Sequence, residues 1–303
     1  MAISRAQLVK ELEPGLNALF GLEYDRYTNE TAEIFTTETS DRAFEEEVML
    51  SGFGGAATKA EGAAVTFDDA KEAFTARYTH QTVALAFAIT EEAIEDNLYD
   101  RLGNRYARAL ARSMANTKQV KGAEILNNAF STSQLGGDGV VLCSTAHPTV
   151  SGTSLSNTFS TQADLSETSL ESALINIAAF IDERGLKISI QGTKLILPKE
   201  LQFTAERILK SPLRVGTADN DINAIANMNM IPEGYRVNHY LNDTNAWFIK
   251  TDTPNGFKHF VRAALRTAME GDFDTGNVRY KARERYSFGF SDPRCVYGSS
   301  GST

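Results

Sequence analysis

The chain has 303 residues, 42% hydrophobic and 23% charged, which is the composition of a globular protein long enough for one large or two medium domains. No apolar run approaches the roughly 20 residues that span a bilayer, no signal-peptide centre opens the chain, and two cysteines far apart supply no disulfide framework, so a cytoplasmic, non-membrane protein is expected. The net charge of −9 is uneven: residues 21–100 hold 18 acidic and 5 basic residues (−13), residues 1–20 balance to zero, and residues 101–303 carry +4, a pattern unlike a dedicated nucleic-acid binder.

In chain order, residues 3–20 repeat apolar side chains at helical spacing (Ile3, Leu8, Leu12, Leu16, Leu19, Phe20), interrupted at Pro14-Gly15. Residues 21–47 are polar and acidic with isolated aromatics, which predicts an extended arm unable to offset its own ordering entropy. Residues 48–67, VMLSGFGGAATKAEGAAVTF, place a small-residue tip bearing Lys59 and Glu61 between β-prone pieces. The alternation at Val83, Leu85, Phe87 and Ile89 predicts the returning strand of that hairpin.

Thr90 then has the features of an N-cap, with Glu91 and Glu92 at the positive helix end and Ile89 and Ile94 as a staple. The helix is expected to run to about Phe130, with Leu98, Leu102, Tyr106, Leu110, Ser113 and Thr117 along one side and Arg101, Arg105, Arg108 and Arg112 along another. Residues 131–165 form a long Ser/Thr/Gly/Asn loop. Thr168 with Glu171 suggests a capping box for a helix ending near Arg184-Gly185, KISIQGTKLIL is strand material, and a helix follows Pro198. YRVNHYL and AWFIK predict a hairpin about Asn242-Asp243. Residues 278–290 alternate throughout: Val278, Tyr280, Ala282, Glu284, Tyr286, Phe288 and Phe290 face one way, Arg279, Lys281, Arg283 and Arg285 the other.

Reactive-looking residues are few. Cys143 and His147 could be half of a zinc site, but no second cluster stands beside them, and Cys295, His239 and His259 would have to be brought in by folding. A hydrolase using Cys143 or Ser144 with His147 lacks a G-x-S-x-G or other nucleophile context. GFGGAATKAEG lacks the residue order of a phosphate loop. An ordinary turn punctuated by Pro148, with a partly buried thiol, fits better. No catalytic, cofactor or metal residue is assigned.

Three separated stretches carry a resemblance. LCSTAHPTVSGTSLSN (142–157), GTKLILPKELQFTAERILKS (192–211) and RERYSFGFSDPRCVYGS (283–299) are similar to segments of tailed-bacteriophage major capsid proteins, the fold shared with encapsulins and herpesvirus capsid floors. The order of elements resembles theirs along nearly the whole chain. The resemblance implies an α+β fold: an N-terminal arm (1–47), an E-loop hairpin (48–89), a peripheral domain (90–164, spine helix 90–130), an axial domain (165–250), and a return to the peripheral domain (251–303). It implies a non-enzymatic shell subunit without cofactors, assembled as hexamers and pentamers in the host cytoplasm and located in the virion. Partners would be a separate scaffolding protein (residue 1 leads almost directly into the arm), a portal, a decoration protein, and packaged DNA contacted non-specifically. Some relatives cross-link an E-loop lysine; Lys59 near the tip is not expected to do so. Lys59, Glu61, the four arginines of the helix (Arg101, Arg105, Arg108, Arg112) and the cationic row Arg279, Lys281, Arg283 and Arg285 are the candidate inter-subunit contacts. The nearest alternative is an encapsulin-like compartment around an enzyme cargo.

Overall fold

The alternating stretch near the C-terminus forms a strand with the expected bounds, β11 (Val278–Phe290), and the first sheet is built on it. The computed structural model describes residues 5–90, 92–93, 99–214, 221–272 and 276–302. In that four-stranded sheet the order is β1 (Thr36–Thr39), β10 (Phe257–Gly271), β11, β4 (Gln81–Ile89), with β1 parallel to β10 and the other pairs antiparallel. Register shifts interrupt the β10–β11 ladder between Val261 and Ala263 and between Ala263 and Arg266.

One face of this sheet is covered by two helices, α1 (Arg5–Arg26) and α2 (Tyr99–Asn127). Leu16 and Phe20 of α1 and Ala107, Leu110, Ala111 and Met114 of α2 form a core with Tyr280 and Ala282 of β11. The packed stripe of α2 is therefore made largely of small residues. Tyr106 remains half exposed, resting on Phe87, while Gly103, Ala107 and Ala111 let the neighbouring helix approach closely. The stripe expected from large apolar residues is thus displaced by about one position. Thr90 Oγ1 accepts the Ala93 amide at 3.4 Å, as an N-cap would; Ile94, Leu98 and the side chains of Arg101 and Leu102 lie outside the described residues.

The first helix corrects an expectation. It continues through Pro14-Gly15 to Arg26, six residues into the stretch predicted to be extended. Beyond it, Ile34 and Phe35 are buried on Ile125, Leu126, Phe257 and Phe290 of their own chain. The arm therefore has an intramolecular interior, because β1 adds to the edge of the sheet and carries these side chains into the core. Its sparse aromatics and aliphatics are spent on a long-range contact that local periodicity cannot display.

A second four-stranded sheet has the order β12 (Val296–Ser299), β9 (Trp247–Thr251), β7 (Gly192–Leu197), β8 (Tyr235–Val237). Its core gathers Leu195, Leu197, Trp247, Ile249 and Tyr297 with Leu170, Ala173 and Ile177 of α3 (Glu167–Ala178) and Ala205 and Ile208 of α4 (Gln202–Lys210). A short helix, α5 (Ala224–Asn227), packs beside α4. Here two further expectations fail. α3 is capped two residues earlier than expected, by Ser166 with Ser169 as its reciprocal partner, and ends at Ala178. The segments expected to form a hairpin about Asn242-Asp243 are separated by β7: β8 runs parallel to it and β9 antiparallel. Intervening β7, all but fully buried, outcompetes the local turn.

Candidate assembly surfaces

β2 (Phe44–Leu50) and β3 (Glu72–Thr79) pair only with each other, and residues 51–71 form the loop between them. The strand expected to return the hairpin, β4, instead pairs with β11 from Val278↔Ile89 to Tyr286↔Gln81. The hairpin therefore buries Ala76 and Tyr78 on Phe260 at its root, and its loop is tied to its own chain where Asp68 pairs with Arg184 at 2.8 Å, yet several apolar side chains of the loop stay uncovered. Leu50, Phe53 and Val65 are well exposed and Phe67 is 97% exposed. Lys59 and Glu61 are exposed within the loop. An isolated two-stranded ribbon is marginal in water, so its root must be held.

The root is held by a buried polar network that sequence reasoning missed. Lys258 of β10, almost fully buried, donates to Glu47 of β2 and lies 2.9 Å from Glu38 of β1. Burial opposes its charge, but the Glu47 and Glu38 hydrogen bonds outweigh that and raise its pKa. Ser291 also donates to Glu47, and Tyr78 of β3 donates to Ser291. His80 bridges Ser40 (2.9 Å) and Ser287 (3.0 Å) at the other side of the root. Three acidic residues in a row, Glu45-Glu46-Glu47, resemble a solvated run in sequence; only the paired strands reveal that alternate members point inward.

The outer face of the first sheet is the second surface. Arg279, Lys281 and Arg283 are exposed and Arg285 is half-buried. Their cross-strand neighbours on β4 are small: Ala88, Ala86, Ala84 and Thr82. On β10 they are Glu270, Ala268, Arg266 and Ala263, so Arg283 sits directly opposite another cation. Like charges in that position are unfavourable by some tenths of a kcal/mol. Arg279 pairs with Asp272 of its own chain. The opposite face takes Glu284 inward, where burial raises its pKa against the pull of Lys118 at 3.6 Å.

On α2, Arg105 and Arg108 point to solvent, whereas the Arg112 guanidinium donates to Tyr27 Oη at 2.8 Å and so ties the arm to the helix. The candidate cations thus fall on two separate faces.

The Cys143–His147 stretch is an interior knot. His147 places one ring nitrogen 2.6 Å from Asp138 Oδ2 and the other 3.1 Å from Asn157 Oδ1. Asn157 also accepts the Ser144 amide and donates to the carbonyls of Leu142 and Pro293 at 2.7 and 2.9 Å. With both nitrogens engaged, the imidazole has none left to deprotonate a nucleophile. Burial drives the Cys143 thiol well above its ordinary pKa, against the thiolate a nucleophile needs. A Cβ on Gly298 would come within 2.7 Å of that sulfur. Among the described residues, no group of three or more His, Cys, Asp or Glu is arranged to hold a metal ion. Asn157, the centre of the knot, closes the quoted 142–157 motif, although nothing in the sequence marked its role.

This architecture has counterparts. The virus-like particle from Pyrococcus furiosus superposes with a TM-score of 0.54 at 10% identity, covering 94% of this chain and 97% of that one. The capsid of an empty GTA particle gives 0.55 at 12% identity, covering 89% of each. The Microbacterium phage Oxtober96 chain gives 0.52 at 10% identity, covering 90% of each. No curated protein matches. Residues 71–299, more than half of the chain, match the family described as phage capsid protein. Two sheets, a two-stranded hairpin and a long helix in an α+β tailed-phage capsid fold, together with that match, place this chain in the phage capsid protein family as a structural component of a virion.

Proposed function

We propose that this protein is the major subunit of a tailed-phage head, closing as hexamers and pentamers into an icosahedral shell around double-stranded DNA. The observation that carries the reading is the hairpin, rooted by the Lys258–Glu47 network yet leaving Leu50, Phe53, Val65 and Phe67 exposed. A second copy covers them, gaining about 25 cal/mol for each Å² of apolar surface removed from water. Weak individual contacts suffice, because each subunit touches several others at the high effective concentration of a growing shell.

In this reading residues 1–47 act as arm, the β2–β3 ribbon as E-loop, the first sheet with α2 as peripheral domain, and the second sheet as axial domain. Arg105, Arg108, Lys281, Arg283 and Arg285, with Lys59 and Glu61 on the loop, set register between copies and meet packaged DNA without sequence preference. A scaffolding protein, a portal and a decoration protein would complete assembly in the host cytoplasm. No catalysis is assigned, since His147 and Cys143 are bound into the fold. Negative-stain microscopy of the purified protein, alone and with a scaffold, should show closed shells; nucleic-acid analysis of particles from infected cells should return long double-stranded DNA. Particles filled with an enzyme would transfer the protein to the compartment-forming relatives, and a persistently monomeric chain would remove the shell altogether.

A further inference from the structure

The second sheet ends on an open edge. β8 is its outermost strand, paired on one side with β7. The Leu195 amide donates to the Gly234 carbonyl and the Asn238 amide to the Leu197 carbonyl, so Gly234, Arg236 and Asn238 turn their backbone groups toward β7. Tyr235, Val237 and His239 turn theirs away. The outward His239 amide is already taken, by Glu30 Oε2 of the arm at 3.0 Å. Tyr235 and Val237 line a cleft of about 680 Å³ together with Thr28, Glu30, Glu33 and Ile34 of the arm, and Arg236 pairs with Glu33.

Ile34, Leu209 and Ile225 supply apolar wall. Asn238, 2% exposed, lines the same space and has a buried Nδ2 with no hydrogen-bond partner among the described residues.

The chain contains a segment of the matching kind. Residues 63–67, AAVTF, are β-prone, and Val65 and Phe67 are 65% and 97% exposed on the hairpin loop. Their i, i+2 spacing of about 7 Å places both on one face of a strand. We propose that residues 63–67 of one copy add to the free edge of β8 in another, with Val65 and Phe67 against the apolar wall. Backbone hydrogen bonds to Tyr235 and Val237 give the affinity and the wall gives the register. The inference rests on the shell reading, and it names where the hairpin tip lands.

Two measurements test it. In unassembled subunits the peptide AEGAAVTFDDA (residues 60–70) should slow amide exchange at Tyr235 and Val237 at least tenfold, and the same peptide with Phe67→Asp should not. In assembled particles, Thr66→Cys combined with Arg236→Cys should give intermolecular disulfides on oxidation. Arg236 turns its backbone groups to β7, so against an added antiparallel strand it forms the close, non-hydrogen-bonded pair, about 4.5 Å between Cα atoms. Unchanged exchange with the peptide, or particles that form without the cross-link, would overturn the assignment. Failure to form any particle is visible by microscopy and counts against the shell reading, while the peptide measurement still decides whether the β8 edge accepts this segment.

Discussion

His259 illustrates how much one side chain owes to its setting. It stacks on Phe288 with 4.3 Å between ring centroids and 11° between planes, contacts Thr37 Oγ1 at 3.2 Å, and leaves Nε2 buried without a hydrogen-bond partner among the described residues. Burial, aided by the Lys118 charge, lowers its pKa from 6.5 to about 3. The unfolded chain therefore binds a proton in the window from pH 6.5 down to 3 that the folded chain refuses, and stability falls as pH falls across it. Each unit in that window costs about 1.4 kcal/mol. A His259→Phe variant removes the titration while keeping the stack. Denaturant unfolding of the unassembled chain should show the variant gaining on the native protein at about that slope below pH 6.5, with no gain above pH 7. Nothing in the local sequence KHFVR announces such a site. Its character comes from Phe288, 29 positions away, and from α2 behind it.

Among elements, the hairpin ribbon is the one whose position depends most on contacts distant in sequence. Its root rests on the loop after α2: a Cβ added to Gly137 would fall 2.7 Å from the backbone carbon and oxygen of Thr75. Backbone cannot rotate out of the way as a side chain end can, so Gly137→Ala must displace β3. The expected cost is about 1–3 kcal/mol. Thermal unfolding should register it, and proteolysis should cut the 51–71 loop faster in the variant; an unchanged melting temperature would mean that β3 yields at no expense. The ribbon's tip was legible in the sequence from its Gly and Ala content, but its pairing was not. Both β3 and β4 alternate acceptably, and β4 is claimed by β11, whose Tyr280 packs against Phe87 at 5.5 Å between centroids.

For the whole molecule, charge is the organising quantity. The −13 segment and the cationic sheet face belong to one chain, yet the face is backed by alanines and bears Arg266 opposite Arg283, an arrangement that favours an external anionic surface. Reversing Lys281 and Arg283 to Glu together should leave the fold intact, since both side chains are exposed on the outer face, and should reduce the yield of closed particles at least tenfold at low salt. Sedimentation of the variant beside the native protein reads this directly; normal particle yield would dismiss the charge argument. Screening is the control: raising ionic strength should weaken the native assembly in the same direction, because charges further apart than about 8–10 Å are largely screened at physiological salt.

Several features followed from the sequence alone, because each rests on a short-range rule. The alternation of 278–290 required a strand with one packed and one cationic face, and Thr90 was chemically equipped to cap a helix. Three separated motifs pointed to a capsid fold without any coordinate. Tertiary structure decided the rest, because the deciding partners lie far along the chain. It buried Ile34 and Phe35, gave β4 to β11 and inserted β7 between β8 and β9. It also tied His147 to Asp138 and Asn157 and left β8 with an open edge. A strand's periodicity states which face is apolar; which neighbour takes its edge is settled only when every strand in the molecule competes for it.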